Sequence, residues 1–229
     1  MTHDGRKISQ RGSRDRSPFV IGLTGPIASG KSTVGEMLRL RGAEVIDADR
    51  VYRSLLAPRS ALWRRIVERF GPAIVRSDGE IDRAALAEIV FADPEALADL
   101  DRITHPAVVE EIRTRIAETR APVVVLEAVK LVQSGLTSEV HALWFVTADP
   151  ETRLRRLMSR SGVDEASARA RIAAAPDTVP EGVVVGATID NSGDLESTAD
   201  AVDEAWRAVT SGLAQEKHRD LMQATKERS

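Results

Sequence analysis

The chain has 229 residues, 42% hydrophobic and 29% charged, which suits one sizeable α/β domain with room for a small inserted subdomain. A net charge of −3 removes any global attraction to nucleic acid or an anionic membrane. The absence of cysteine excludes disulfides, thiolate metal sites and cysteine nucleophiles.

The chain opens with residues 1–17, polar throughout and without the apolar core of a signal peptide. They set Arg6, Lys7, Arg11, Arg14 and Arg16 against Asp4 and Asp15, and are expected to form a disordered arm rather than a nucleic-acid tether. No later stretch approaches the roughly 20 apolar residues of a membrane helix. These features, with the missing cysteines, predict a cytoplasmic protein.

Phe19-Val20-Ile21-Gly22-Leu23-Thr24 is a short, partly β-branched run between Pro18 and Gly25, the pattern of a buried strand. From Lys31 a helical spacing follows (Val34, Met37, Leu38, Leu40) and ends near Gly42; Glu44-Val45-Ile46-Asp47 predicts a second strand. Strand, glycine-rich turn, helix and strand in that order make a βαβ unit with parallel pairing. Residues 50–120 are predicted helical, with breaks expected at Asp93-Pro94 and His105-Pro106 and a turn at Asp78-Gly79. Val123-Val124-Val125-Leu126 and Ala142-Leu143-Trp144-Phe145-Val146 are further strands, and Val183-Val184-Val185 with Ile189 a last, interrupted one. An Arg-rich helical stretch covers residues 151–171, and residues 195–213 have helical spacing before a charged tail over 215–229. The expectation is one α/β domain over residues 18–214, with a parallel sheet of about five strands and helices on both faces.

Residues 25–32, Gly25-Pro26-Ile27-Ala28-Ser29-Gly30-Lys31-Ser32, fit the P-loop pattern G-x-x-x-x-G-K-[ST]. Glycines let the backbone turn and approach an anion, and successive N–H groups at a helix N-terminus face it with partial positive charge. Lys31 would set a full charge on the β- and γ-phosphates, and the Ser32 hydroxyl would bind Mg²⁺. With Gly at ~7% of residues, a chance match in a chain of this length is well under ~1%. G-x-G-x-x-G is missing, which disfavours a dinucleotide fold. The ligand expected on Gly25 to Thr33 is therefore ATP with Mg²⁺.

With this motif the sequence resembles the dephospho-coenzyme A kinase family over roughly residues 20–196. The resemblance rests on the Ile21-Gly22-Leu23-Thr24-Gly25 opening, Gly30-Lys31-Ser32-Thr33-Val34, Val45-Ile46-Asp47-Ala48-Asp49, Phe70-Gly71, Gly79-Glu80-Ile81-Asp82-Arg83, Val90-Phe91 and His105-Pro106. Arg156, Arg160, Arg171-Ile172 and Ile189-Asp190-Asn191 with Gly193 are similar too. Pro26, Ile27 and Ala28 depart from the more usual G-I-G. Ala128-Val129-Lys130-Leu131 stands where P-L-L is common, Ala175 replaces a glutamine, and Val185-Gly186 an alanine-aspartate pair. Pro176 and Pro180 interrupt the lid region. These departures bear on acceptor positioning and lid geometry more than on ATP binding.

The resemblance implies a P-loop fold like that of nucleoside-monophosphate kinases, with a helical acceptor subdomain over about 50–120 and a lid over about 150–175. The implied reaction is ATP-dependent phosphorylation of the 3′-hydroxyl of dephospho-CoA, with no nucleic-acid or membrane partner. Asp49, just past a strand's carboxyl end, is the candidate general base or orienter of the acceptor hydroxyl; its alternative is a helix N-cap. Asp47, on the same face, reads as structural or metal-orienting. Glu127 is either a carboxylate near the metal or a solvated strand end. Arg156 and Arg160 share a face at i, i+4 and are the candidate clamp, while Arg153, Arg155, Arg169 and Arg171 read as surface. Arg83 and His105 belong to the acceptor side, His105 alternatively being a turn histidine. Asn191 would touch adenine or shape a turn. His3, His141 and His218 lack metal-site spacing, and Trp63, Trp144 and Trp206 read as packing. Two other functions stay open: a kinase for another small acceptor such as a nucleotide, and a degenerate ATP-binding protein acting through a partner.

Overall fold

The computed structural model describes residues 17–128, 131, 136–174, 178–179 and 183–226, with 137, 214 and 216–226 through their backbone alone. Apart from Ser17 the expected N-terminal arm lies outside the described residues, as do His3, Val129, Lys130, Ala175, Pro176 and Pro180.

Five strands form one parallel sheet: β1 (Phe19–Thr24), β2 (Glu44–Asp47), β3 (Val123–Glu127), β4 (Ala142–Thr147) and β5 (Ala187–Asp190). Their order is β2-β3-β1-β4-β5, which puts β1 in the centre with β3 and β4 on either side. In such sheets ligands bind beyond the carboxyl ends of the strands where the order switches, here beyond β1. The chain leaves that end of β1 directly into residues 25–30 and then α1 (Lys31–Leu40).

Side chains alternate across a strand, and the run of valines in β3 feeds two cores at once. Val123 and Val125 pack with Ile21, Leu23, Val34, Leu38 and Trp144 on one face. Val124 and Leu126 pack with Val20, Ile46, Val51 and Ile112 on the other. A sheet covered on both faces needs strands that are apolar throughout, which is why these runs show no alternation in sequence. The last helix, α8 (Leu195–Lys226), closes the first face through Val202, Trp206 and Val209.

Four helices follow β2: α2 (Ala48–Leu55), α3 (Ala61–Phe70), α4 (Arg83–Ala92) and α5 (Pro94–Glu118). They enclose a separate core of Leu56, Leu62, Ile66, Ile74, Leu86 and Val90, with Tyr52 and Trp63 packed at its edge. Local signals set their starts. Ser60 caps α3, Asp82 caps α4, and Asp93 caps α5 ahead of Pro94, a residue suited to a first helical position. The turn at Asp78-Gly79 is present, with Gly79 at φ +86° and its carbonyl accepting from Trp63 Nε1 at 3.0 Å.

Three expectations need correction. The chain does not break at His105-Pro106, because Pro106 lies inside α5. An interior proline costs a helix about 3 kcal/mol; Pro106 lies on the exposed side of α5, whose other side packs along α2, α3 and α4. Val183, Val184 and Val185 are not strand; the ladder begins only after the Gly186 N–H donates to Leu143 O at 2.8 Å. Val183 and Val185 cover the edge of the second core as irregular chain, while Val184 points outward. The Arg-rich stretch is two helices, α6 (Pro150–Ser161) and α7 (Glu165–Ala173), parted by Gly162 in a left-handed C-cap. In addition, α8 runs well past residue 213, through most of the charged tail to Lys226.

Candidate active site

The phosphate loop is shaped by two glycines that have no room for a side chain. A Cβ on Gly25, at φ +151°, would lie 2.1 Å from Val146 O, so only glycine lets the loop lean on the end of β4. One on Gly30, at φ +95°, would lie 1.9 Å from Asn191 Nδ2. Ala28 also takes a left-handed conformation, φ 61°, which costs a residue with a Cβ roughly 1–2 kcal/mol. Part of that is returned because Ile27 and Ala28 pack against Leu154, Leu157 and Ala168 of α6 and α7. The loop tip thus shares one small apolar core with α6 and α7.

Gly30 is the N-cap of α1, with no side-chain cap and no acidic residue in the first turn. The positive end of the helix therefore faces the loop uncompensated, the arrangement that receives an anion. Lys31 opens α1 and is 8% exposed; its ammonium donates to Gly25 O at 2.9 Å and Pro26 O at 3.1 Å. Burial lowers its pKa, the charges of Glu127 and Asp49 oppose that shift, and Arg160 adds to it. Asp49, Glu127 and Arg160 therefore lie near enough for their charges to act on Lys31. Thr33 sits on the first turn, its N–H donating to Gly30 O at 3.0 Å.

Glu127 ends β3 and is register-paired with Asp47 on β2 and Leu23 on β1. Ser32 Oγ donates to Glu127 Oε1 at 2.8 Å. Burial raises the Glu127 pKa, and the neighbouring Asp47 and Asp49 raise it further, against the Ser32 hydrogen bond and Lys31. Gly35, inside α1, makes the approach possible: a Cβ there would meet Glu127 Oε2 at 3.3 Å. Glu127 is thus a half-buried strand end hydrogen-bonded to the first turn of α1.

The two aspartates of Asp47-Ala48-Asp49 have different jobs. Asp47 is the N-cap of α2, its carboxylate accepting from Asp49 N at 2.9 Å and Arg50 N at 3.1 Å. The cap role weighed for Asp49 is therefore filled by Asp47. Asp49 is left exposed on the first turn of α2, at the carboxyl end of the sheet beside Lys31 and Glu127.

Among the arginines, Arg156 Nη1 reaches Ser29 O at 3.4 Å, and Arg160, one turn on, is exposed and acts on Lys31. Arg155 and Arg171 are exposed, and Arg169 pairs with Glu165 and Glu151 across α6 and α7. Arg153 is a correction: expected on the surface, it is 3% exposed. Its place on α6, between buried Thr152 and Leu154, turns it toward the protein, and no sequence signal separates it from its neighbours.

Arg83 and His105 both lie in the helical subdomain. Arg83 is exposed on the first turn of α4, its charge opposing the burial that raises the pKa of Tyr52. His105 is half-buried in the middle of α5. Asn191, 2% exposed, is turned to the loop backbone, its amide donating to Ser29 O at 2.8 Å. His141 is structural, its Nδ1 accepting from Val20 N at 2.9 Å. Among the described residues no three His, Cys, Asp or Glu form a metal-binding group, and no helix is long and apolar enough to cross a membrane.

Comparison with known proteins agrees with this geometry. The family model for dephospho-CoA kinase matches residues 19–197. A dephospho-CoA kinase of Symbiobacterium thermophilum is 45% identical over 84% of this chain and 82% of its own length. One from Moorella thermoacetica is 42% identical over 86% and 94%. Among solved structures, TT1252 from Thermus thermophilus superposes with a TM-score of 0.69 at 34% identity, covering 87% of this chain and 98% of that one. A P-loop at the head of α1, a carboxylate pair at the ends of β2 and β3, and sequence agreement across the catalytic domain lead to one conclusion: the chain belongs to the dephospho-CoA kinase family.

Proposed function

We propose that this chain transfers the γ-phosphoryl group of ATP to the 3′-hydroxyl of dephospho-CoA, giving coenzyme A and ADP. The observation that carries the reading is the joint placement of Lys31, Ser32, Glu127 and Asp49 around the phosphate loop. Phosphoryl transfer needs a phosphate cradle, oxygen ligands for a divalent cation and a carboxylate for the acceptor proton, and the chemistry of these side chains suits each need.

The Ser32 hydroxyl and the Glu127 carboxylate fit Mg²⁺, a hard ion that takes few protein oxygens and completes its shell with phosphate and water. When bound, the ion neutralises charge on the β- and γ-phosphates. The backbone of Gly25 to Thr33 holds the triphosphate, and Lys31 swings its ammonium from the loop carbonyls to phosphate oxygen. Asp49 accepts the proton of the acceptor hydroxyl as that oxygen bonds to the γ-phosphorus. The bond from the γ-phosphorus to the bridging oxygen breaks, and the pair of electrons leaves with ADP. Arg160 faces the transferring group and Arg156 anchors the lid on the loop. Residues 48–118, with Arg83 and His105, take the acceptor, and α6 and α7 exclude water that would hydrolyse ATP. Both substrates are water-borne nucleotides, and we assign the reaction to the cytoplasm.

The test is ADP release by the full chain with Mg²⁺, ATP and dephospho-CoA, then with nucleoside monophosphates and sugars, using Lys31→Ala as the control. Turnover with dephospho-CoA alone supports the assignment. Turnover only with another acceptor, or nucleotide binding with no acceptor-dependent turnover, overturns it.

A further inference from the structure

The geometry points to Asn191 and Thr198 as a buried positioning pair that sets the orientation of the Ser29–Gly30 peptide, so that the loop presents the Gly30 N–H to phosphate. The inference rests on the proposed ATP site and adds to it two residues on the far side of the loop.

Ser29 O receives two donors from outside the loop, Asn191 Nδ2 at 2.8 Å and Arg156 Nη1 at 3.4 Å. In a trans peptide the carbonyl and the following N–H point in opposite directions. Pinning the Ser29 carbonyl toward β5 therefore aims the Gly30 N–H the other way, into the concave side of the loop. Gly30 is held so tightly against Asn191 that no Cβ fits between them.

The proton inventory fixes the amide. A carbonyl only accepts, so the NH₂ of Asn191 must face Ser29, and Oδ1 must face Thr198. Thr198 Oγ1 lies 2.9 Å from Asn191 Oδ1 and has to donate to it. The hydroxyl is also 3.0 Å from Asp194 O, but it has one proton, and that carbonyl already accepts from Thr198 N. Thr198 is fully buried, on the first turns of α8. A chain of hydrogen bonds thus runs from α8 through the end of β5 to the phosphate loop, with one permitted sense. Asn191 contributes through the loop rather than through the purine.

The experiment measures binding of Mg·ATP and of inorganic tripolyphosphate, by displacement of a fluorescent nucleotide, to wild type, Thr198→Val and Thr198→Ser, with Tm and KM for dephospho-CoA alongside. Valine keeps the shape and removes the donor, leaving Asn191 Oδ1 buried and unpaired, so affinity for both ligands falls by the same factor, roughly tenfold. Serine restores the donor and returns binding to within about twofold of wild type, and KM for dephospho-CoA stays put. Unchanged binding by Thr198→Val overturns the inference. So does weaker ATP binding with tripolyphosphate unaffected, which would mean a purine contact. Should Thr198→Val fail to fold, Asn191→Asp carries the same comparison, since a carboxylate facing the Ser29 carbonyl repels it. Loss of fold in both assigns the pair to the scaffold and likewise overturns the inference. Dephospho-CoA turnover by wild type is read separately, so failure here leaves the catalytic assignment standing.

Discussion

The hydroxyl of Ser32 and the carboxylate of Glu127 come from segments 95 residues apart and meet at 2.8 Å beneath the phosphate loop. One belongs to the helix into which the phosphate loop runs, the other to a strand of the sheet, so the pair links the P-loop to the sheet. Removing the charge at constant shape isolates its contribution. Glu127→Gln is expected to raise the Mg²⁺ concentration for half-maximal activity by about 10- to 100-fold, measured by Mg²⁺ titration at saturating substrates. An unchanged Mg²⁺ dependence would contradict the assignment.

Burial gives the same residue a pH signature. The Glu127 pKa is raised above its usual 4.5, chiefly by desolvation, so the folded protein keeps this proton to higher pH than the unfolded chain does. The stability it contributes is full below pH 4.5 and is lost as pH rises through the folded pKa. At neutral pH the carboxylate is therefore a cost. Glu127→Gln should hold or raise Tm at pH 7 while lowering activity, and the difference should shrink toward pH 4. In wild type, the acid limb of kcat/KM for ATP should lie above pH 4.5. Lys31 is lowered from 10.5 by burial, so the alkaline limb should lie below that value.

Asp47 and Asp49 should separate stability from catalysis. Asp47→Ala removes the α2 cap and is expected to cost about 1 kcal/mol of stability, read by denaturant unfolding. Asp49→Asn leaves the cap in place and is expected to lower kcat by about 10²- to 10⁴-fold with Tm unchanged. The reverse pattern would reassign the base.

Two glycines with the same backbone angle offer a controlled comparison. Gly30 and Gly42 both stand at φ +95°, but an added Cβ meets Asn191 at Gly30 and nothing within 4 Å at Gly42. Gly42→Ala should cost roughly 1–2 kcal/mol, the left-handed penalty alone. Gly30→Ala should cost more and abolish ATP binding, as calorimetry would show.

Arg153 and Arg155 are two residues apart on α6, one buried and the other exposed. Arg153→Ala is expected to destabilise by about 1–3 kcal/mol, because it empties a buried side-chain site, and Arg155→Ala by less than about 0.5 kcal/mol. Equal effects would contradict the burial.

The sheet and the phosphate loop were legible because their signals are local. Apolar runs of four to six residues between turn signals mark buried strands, and the loop pattern dictates its own backbone. Long-range relationships were not legible. Nothing local says that Arg153 turns inward, that Pro106 is carried by a helix packed on three others, or that Asp47 takes the cap and frees Asp49. The Asn191–Thr198 pair was hidden for the same reason. Asn191 stood out as a turn residue with Gly193, but Thr198 is an unremarked threonine whose proton matters only once α8 lies against β5. Val183, Val184 and Val185 misled in the opposite sense, since β-branched residues cover a core edge as readily as they form a strand.

If the site works as proposed, the γ-phosphoryl group of ATP goes to one hydroxyl of dephospho-CoA. Phosphorus NMR of a single-turnover mixture of the full chain, Mg·ATP and dephospho-CoA tests it directly. The expected spectrum shows a new phosphomonoester on the 3′ oxygen of the product, matched one for one by ADP and absent with Lys31→Ala. Release of inorganic phosphate with dephospho-CoA unchanged would contradict it.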